Sequence, residues 1–218
     1  MSSARSGKAP APRRARRDPD AVRERLYRVS LRRIRDQGYD AASVAGITRE
    51  ADVAKGTFFN HFPTKEHVLA RYLGEVLDRV FPRAMESAGG TDAVARALDD
   101  VALELAGESE LARAVIPRWG PGGLPAPPDI GGQGSSDSAA DRLRRWIEDR
   151  LAESLRLSIP LVDVDDAMLA ALLFGAFEVT LQEWYRDQKA LPPFPRARLR
   201  ARVAYLIETA GFPPPPSL

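Results

Sequence analysis

The chain has 218 residues, 28% charged and 44% hydrophobic, the balance of an ordinary soluble protein with room for one small and one larger domain. A formal net charge of +2 excludes a general polyanion binder, so any affinity for nucleic acid must come from clustered charge. The absence of cysteine excludes disulfides, thiolate metal sites and cysteine nucleophiles, and two histidines are too few for a histidine-rich metal centre.

A basic segment, residues 1–17, precedes the first acid, Asp18. Its cations stand among proline, serine, alanine and glycine: Arg5, Lys8, Arg13, Arg14, Arg16 and Arg17. This composition predicts a disordered arm. Two interpretations are open, an arm that follows DNA or enters its minor groove, and a solubilising tail. The segment lacks the apolar run of a secretory signal, so we expect a cytoplasmic protein.

The first predicted helix starts at Asp18 and runs to about Gln37. Asp18 is an acidic cap, Pro19 suits the first helical turn, and Gly38 ends the helix. Its apolar residues recur with helical spacing: Val22, Leu26, Tyr27, Val29, Leu31 and Ile34.

Ser43 to Lys65 has the pattern of two short helices joined by a tight turn. Ser43 is a suitable N-cap for the first of them. Apolar residues at i, i+3 and i+7 mark its inner face: Val44, Ile47 and Ala51. Asp52 tolerates the left-handed backbone that such a turn needs. The second helix is predicted from Ala54 to His61.

The end of this segment carries an aromatic pair and a new helix start. Phe58 and Phe62 are four residues apart, so both rings can bury against the preceding helix. Pro63 ends the second short helix, and Thr64 opens a long one. These features together predict a helix-turn-helix, and hence binding to duplex DNA.

The segment resembles the DNA-binding domain of TetR-family transcriptional regulators. The resemblance rests on Gly38-Tyr39, Ser43-Val44, Ile47, Ala51, Val53, Lys55-Gly56-Thr57-Phe58, His61-Phe62 and Thr64-Lys65-Glu66. It covers about the first third of the chain. It implies an all-α protein with a three-helix DNA-binding domain at 18–64, a helical effector-binding and dimerisation domain at 65–212, and a proline-rich tail at 213–218.

The resemblance also implies a recognition helix, Ala54 to His61, lying in the major groove. The implied DNA-binding residues are Ser43, Lys55, Gly56, Thr57, Phe59, Asn60, His61 and Lys65. Lys55, Thr57 and Asn60 are expected at base edges or nearby phosphates, and small residues such as Gly56 allow close approach. Ser43, His61 and Lys65 are expected at the DNA backbone. Backbone contacts set the register, whereas base-edge contacts specify sequence.

Five residues depart from the family pattern. Phe59 stands where tyrosine is usual, so a hydroxyl contact to phosphate should be missing. Ala54 replaces the usual serine cap of the recognition helix. Gly46 and Thr48 are weak helix formers in the preceding helix, at a cost of about 1 kcal/mol for the glycine. Arg33 occupies a commonly apolar position in the first helix.

Six further helical segments are predicted: Thr64–Ser87, Thr91–Ala106, Ser109–Ile116, Ser138–Leu157, Asp165–Gln188 and Arg196–Ala210. Pro82 should kink or break the first of these. Residues 117–138 are rich in glycine, proline and serine and form a long loop. The loop is either a passive linker or a lid over a ligand cavity, with Trp119 and Leu124 as its apolar contacts.

The segment Asp165–Gln188 is apolar around most of its circumference, which demands burial on nearly all sides. Its acidic ends and Glu178 argue against a bilayer span. We therefore expect one face to pack inside the subunit and another against a second copy. The last two helices of each subunit would form a four-helix bundle about a two-fold axis. Such a homodimer sets two recognition helices about one DNA turn apart on a palindromic site.

An effector pocket is the least defined feature of the sequence. Candidate lining residues are Phe81, Met85, Trp119, Trp146, Phe174, Phe177 and Glu178, and each aromatic or methionine could equally be core. Glu178 is unusual in so apolar a helix, because a carboxylate there should be paired or exposed. It could pair with a cationic ligand, pair with an arginine of the partner, or face solvent. The lining favours an apolar or aromatic effector.

The resemblance implies a repressor released from a palindromic operator by a small-molecule effector. We expect neither enzymatic activity nor a cofactor, because the sequence has no glycine-rich phosphate loop, nucleophile elbow or paired acids at strand ends. One alternative is an all-α ligand-binding or enzymatic protein with a degenerate helix-turn-helix, which a turnover assay would reveal. Another is a protein-interaction module, which lacks the steep salt dependence of phosphate contacts.

Overall fold

A computed structural model describes residues 18–87, 89–120, 123–126, 137–155, 165–186 and 192–211. All regular structure in these ranges is helical. The helices are α1 (Pro19–Gln37), α2 (Val44–Glu50), α3 (Lys55–His61), α4 (Glu66–Ser87), α5 (Gly90–Ala106), α6 (Ser109–Val115) with a 3-10 turn at Ile116–Arg118, α7 (Ala139–Leu155), α8 (Asp166–Tyr185) and α9 (Arg196–Thr209). The predicted basic arm, the proline-rich tail and part of the long loop lie outside the described residues.

Local capping explains the helix boundaries at the start of the chain. The Asp18 side chain accepts a backbone N–H in the first turn of α1, and Gly38 ends that helix at φ +80°. The Ser43 hydroxyl accepts the Gly46 N–H at 3.1 Å and starts α2. Asp52, at φ +50°, makes the left-handed turn into α3 that the sequence predicts. These two caps, the helix-ending glycine and the left-handed turn set the helix boundaries up to the recognition helix through interactions between residues close in sequence.

An aromatic core fixes α1, α3 and α4 to one another. Phe58 and Phe62 are fully buried, and Tyr27 of α1 stacks on Phe62 with ring centroids 6.4 Å apart. The Tyr27 hydroxyl donates to Glu75 of α4 at 2.7 Å, and the Arg71 guanidinium lies 3.8 Å from the Tyr27 ring centroid. The recognition helix is therefore held by its own buried phenylalanine.

The predicted start of α5 was wrong, whereas α4 ends at Ser87 as predicted. α4 passes through Pro82 without a break, because Pro82 and Asp78, whose carbonyl loses its helical partner, are both exposed and water can satisfy that carbonyl. α5 begins at Gly90 with Gly89 as its cap, whereas Thr91 was the predicted cap. Thr91 lies inside the first turn and is buried.

A buried carboxylate ties α5 to α9. Asp99 is only 2% exposed and accepts two hydrogen bonds from Arg196, at 3.1 and 2.5 Å, and one from Arg200 at 2.7 Å. Burial acts to raise the pKa of Asp99, but the two arginines outweigh it and hold that pKa below its usual range. The charge is thus fully compensated inside the helical domain.

α8 packs against α7 and α9 in the larger domain. By length and composition it could cross a membrane. In the structure, however, Leu173, Phe177 and Leu181 on one side are buried among the neighbouring helices. Its start is fixed by Asp165, whose side chain accepts the Met168 N–H at 2.6 Å. A core position explains the apolar composition of this side without a bilayer.

Replacing Asp99 by asparagine should lower the free energy of unfolding by about 2 kcal/mol, since hydrogen bonds to a charged group contribute about 1.5–3 kcal/mol. The folded-state pKa of Asp99 is lowered, so its contribution is present above the unfolded-state pKa and fades as pH falls below it. Urea unfolding at pH 7 and at pH 2.5, which lies below the unfolded-state pKa of an aspartate, measures both effects. Glu183→Gln, which removes a half-buried acid that pairs with Arg198 and Arg202, is the control and should cost less than Asp99→Asn, since Asp99 is almost fully buried.

Candidate nucleic-acid interface and ligand cavity

The recognition helix α3 has one buried and one exposed side. Phe58 points into the core, whereas the exposed positions follow the i, i+1, i+4, i+5 spacing of a single helical face. These exposed residues are Lys55, Gly56, Phe59 and Asn60. Thr57 and His61 are half-buried at the edges of that face. Six of the predicted DNA-binding residues therefore lie together on α3, and Ser43 is exposed at the start of α2.

Two departures from the family pattern are visible on this helix. Ala54 caps α3 without any side-chain hydrogen bond. Phe59 packs edge-on against Phe58, with centroids 5.6 Å apart, yet remains 44% exposed. An apolar ring therefore stands on the same face as Lys55 and Asn60.

His61 is adapted to act as a neutral group. Burial, followed by the positive charge of Arg23, lowers the pKa of His61 below its ordinary value. A neutral imidazole offers one donor and one acceptor and carries no net charge. The surroundings of His61 thus favour its neutral, hydrogen-bonding form.

Lys65 does not lie on the exposed face of α3; it lies between α3 and α4. Its ammonium donates to the Tyr39 carbonyl at 2.5 Å and lies 3.8 Å from the centroid of the Tyr39 ring. Burial lowers the pKa of Lys65. The structure thus uses this lysine to join the start of α4 to the α1–α2 connection.

Arg33 and Gly46, two apparent weaknesses of the sequence, form one contact. A methyl group at Gly46 would lie 2.8 Å from Nη2 of Arg33, so the glycine makes room for the guanidinium. Nη1 of Arg33 donates to Glu50 at 2.8 Å, and Arg32 pairs with the same carboxylate. The ion pairs join α1 to the end of α2. They compensate for weak helix formers in α2.

Besides the packing of α1 against α4 and α6, further polar contacts join the DNA-binding head to the larger domain. Arg35 of α1 makes two hydrogen bonds of 2.9 Å to Glu108, between α5 and α6. The Arg118 guanidinium lies 4.1 Å from the Tyr39 ring centroid, and the Tyr39 hydroxyl donates to Glu66 at 2.6 Å. We call Tyr39, Lys65, Glu66 and Arg118 the Tyr39 junction. Cations lying over an aromatic ring are attracted by its negative face.

A cleft of about 620 Å³ opens between the end of the long loop, α7 and α8. Its lining residues are Gly120, Leu124, Ala126, Ser138, Ala140, Asp141, Arg144, Ala171, Phe174, Gly175 and Glu178. Among the predicted pocket residues, Phe174 and Glu178 line it. Trp119 lines a much smaller adjoining void. The size of the cleft suits a small organic ligand.

The other predicted pocket residues are not brought together around this cleft. Phe81 and Trp146 stack on each other, with centroids 4.7 Å apart and planes 4° apart. Phe177 is fully buried and meets Trp119 edge-on at 5.8 Å. Met85 is 41% exposed, and its sulfur accepts from Arg150 at 3.5 Å. Aromatic pairing inside the core accounts for most of these side chains.

Glu178 is the chemically distinctive residue of the cleft. It is half-buried and makes no hydrogen bond or ion pair with any residue that the structure describes. Burial alone raises the pKa of Glu178. Gly120, at φ +102°, brings its backbone close to this carboxylate, since a methyl group at Gly120 would lie 2.7 Å from Oε1. A side chain at position 120 is therefore opposed both by backbone strain and by Glu178.

Two charged residues of the cleft were missed in the sequence, Asp141 and Arg144. The Ser138 hydroxyl donates to Asp141 at 2.7 Å and accepts the Asp141 N–H at 3.2 Å. This reciprocal cap is visible in the sequence as serine followed three residues later by an acid. It places Asp141 on the first turn of α7. Within the described residues, no group of three or more histidines and acids could hold a metal ion.

These features define the class of the molecule: an all-helical protein with a helix-turn-helix head and a helical body containing a cleft. The family model for bacterial regulatory proteins of the tetR family matches residues 26–72, which run from α1 into α4 and include the whole helix-turn-helix. It is 35% identical over 77 residues to the HTH-type transcriptional repressor KstR of Mycolicibacterium smegmatis, a match covering 33% of this chain and 38% of that protein. The chain thus aligns with little more than a third of that relative.

Solved structures extend the likeness of fold to the larger domain. FadR of Thermus thermophilus, in complex with lauroyl-CoA, matches 90% of this chain and 98% of its own, with a TM-score of 0.61 and 19% identity. FadR of Bacillus subtilis, in complex with stearoyl-CoA, matches 84% of this chain and 97% of its own, with a TM-score of 0.62 and 19% identity. At these identities the likeness shows the fold alone.

Glu178→Gln is expected to unfold at the same temperature as the native protein or at a higher one, because it removes an uncompensated charge. The folded-state pKa of Glu178 is raised, so the stability it contributes is greatest at low pH and is lost as pH rises through that pKa. The advantage of the variant should therefore grow from pH 4 to pH 7. Thermal unfolding across this range measures it, and a variant less stable at pH 7 would contradict the assignment.

Proposed function

We propose that the protein is a DNA-binding transcriptional regulator, a repressor released from a palindromic operator by a small-molecule effector. The observation that carries this proposal is the exposed face of α3, where Lys55, Gly56 and Asn60 are held outward by buried Phe58. Such a face supplies base-edge donors and acceptors together with a phosphate-binding cation. Ser43, Thr57 and His61 flank it with further hydrogen-bonding groups.

Lys65 and Phe59 take revised roles in this proposal. Lys65 positions α4 through Tyr39, so its removal should weaken binding to all sequences alike. Phe59 contributes apolar contact surface on the DNA-facing side, without the hydroxyl of the usual tyrosine.

We also propose a homodimer through α8 and α9. Met168, Leu172 and Val179 are 53%, 44% and 51% exposed, and their spacing of four and seven residues places them on one stripe of α8. Tyr205 of α9 is 68% exposed. An apolar stripe on a helix that is buried on its other side marks an interface. A two-fold axis beside α8 would pair two recognition helices on one operator.

Effector binding would reach the head through the segment between α6 and the cleft. Gln182 of α8 donates to the Ile116 carbonyl at 2.9 Å, and Gly120 touches Glu178 in the cleft. Between these two anchor points, Arg118 reaches the Tyr39 ring of the head. A ligand that displaces Gly120 would therefore act on the Tyr39 junction. The ligand can release DNA only to the extent that it binds the DNA-free conformation of the protein more tightly than the DNA-bound conformation.

The proposed role is regulatory rather than enzymatic, and the proposed location is the cytoplasm, where DNA is accessible. Both proposals are supported by the match of residues 26–72 to the TetR family model.

Full-length protein should retard DNA from around its own gene, with an affinity that falls steeply as salt increases. Asn60→Ala should change sequence preference, because a good bidentate base contact contributes about 1–3 kcal/mol of discrimination. Lys55→Ala should weaken binding and lower the salt slope by about 1. Arg79→Ala, an exposed change more than three turns into α4, is the control. Equal losses in all three variants, or salt-independent binding, would refute recognition through α3.

Light scattering at micromolar concentration should give the mass of a dimer for the native chain. Leu172→Arg should give a monomer, because it places a charge in an apolar interface. Ala167→Arg is the matched control, since position 167 is exposed on another face of α8. A dimeric Leu172→Arg variant would show that the interface lies elsewhere.

A further inference from the structure

The described side chains that line the cleft carry more negative than positive charge. Glu178 and Asp141 supply two carboxylates, whereas Arg144 is the one cationic side chain among the described lining residues. Arg144 lies 3.7 Å from Asp141 at the mouth, so its charge is already shared with that acid. Glu178 has no counter-charge among the residues described, and its raised pKa reports the cost of burying it. A half-buried, unpaired carboxylate in a cleft is where a complementary ligand charge gains most.

We propose that the cleft binds an organic cation, an amine or quaternary ammonium on an apolar body, with its charge against Glu178. The proposal deepens the proposed function, since this ligand would be the effector. Phe174 and Leu124 provide apolar lining for the body of such a molecule. A methyl group at Gly175 would meet nothing within 4 Å, so the wall of α8 leaves room beside Glu178.

The arginines of a second subunit are poor candidates for the missing counter-charge. α9 is the arginine-rich element next to the proposed interface, and its arginines are used within their own subunit. Arg196 and Arg200 pair with Asp99, while Arg198 and Arg202 pair with Glu183. A ligand cation therefore satisfies Glu178 without breaking an existing ion pair.

An acyl-CoA, the ligand named for the two FadR structures, fits this cleft less well. Its phosphates are anionic, whereas the described lining of the cleft contains two acids and one arginine. The sequence identity of 19% to those proteins leaves their ligand chemistry unconnected to these residues.

The position of Glu178 also connects binding to the head. Its Oε1 lies against Gly120, two residues from Arg118 of the Tyr39 junction. A cation that draws the carboxylate into the cleft alters the support of Gly120. The cationic group of the ligand would then act on the contact between Glu178 and Gly120, two residues from the arginine that packs on Tyr39.

Calorimetric titration of the full-length dimer tests the ligand class with three probes that share one skeleton: 4-phenylbutyltrimethylammonium, 4-phenylbutanol and 4-phenylbutyrate. The native protein should bind the cation most tightly and the anion least. Glu178→Gln should weaken binding of the cation about tenfold or more, because it removes the negative charge that attracts the ammonium group, and should leave binding of the alcohol unchanged. Glu148→Gln, which neutralises a glutamate of α7 outside the cleft lining, is the matched control and should bind as the native protein does.

Two results would overturn the proposal: tighter binding of 4-phenylbutyrate or lauroyl-CoA than of the cation, or equal cation affinity in Glu178→Gln and the native protein. Both readouts are made without DNA. Failure to bind DNA would therefore refute the regulatory function while leaving the cation site intact. Normal DNA binding with no cation binding would refute the ligand class alone.

Discussion

The packing of two cations against the Tyr39 ring joins the DNA-binding head to the segment that leads into the cleft. Lys65 directly precedes α4, the helix that follows the recognition helix, and Arg118 belongs to the segment that leads into the cleft. Tyr39 itself closes the α1–α2 connection, and its hydroxyl is held by Glu66. One aromatic ring of the DNA-binding domain thus meets a cation beside α4 and a cation near the cleft. A small movement of Arg118 changes the electrostatic surroundings of the residues that position α3.

Two acids of the larger domain differ in whether neighbouring arginines compensate their negative charge. Asp99 is almost fully buried, but three hydrogen bonds from two arginines stabilise its ionised form. Glu178 is less buried and has no such partner among the described residues, so its ionised form destabilises the fold. A charged group that lowers the stability of the fold and borders a cleft is stabilised most when a ligand of opposite charge binds beside it. The contrast is what gives the cleft its preference for a cation.

The helix-turn-helix was predictable residue by residue because its signals are local. The caps at Asp18 and Ser43, the left-handed turn at Asp52 and the buried Phe58 all follow from interactions over a few residues. The pocket was not predictable in the same way. Phe81 and Trp146 are as apolar as true lining residues, but they pair with each other, and nothing local in the sequence specifies that partner.

The sequence by itself determined the all-α class, the position of the recognition helix and the excess of apolar surface on α8, since each depends on spacing along one helix. Only the tertiary structure decided which side chains share a cleft, that Lys65 is used inside the head, and that Arg33 lies over Gly46. These contacts join residues on different helices. Their partners are chosen by packing and by compensation of charge, which become defined only when the helices are assembled.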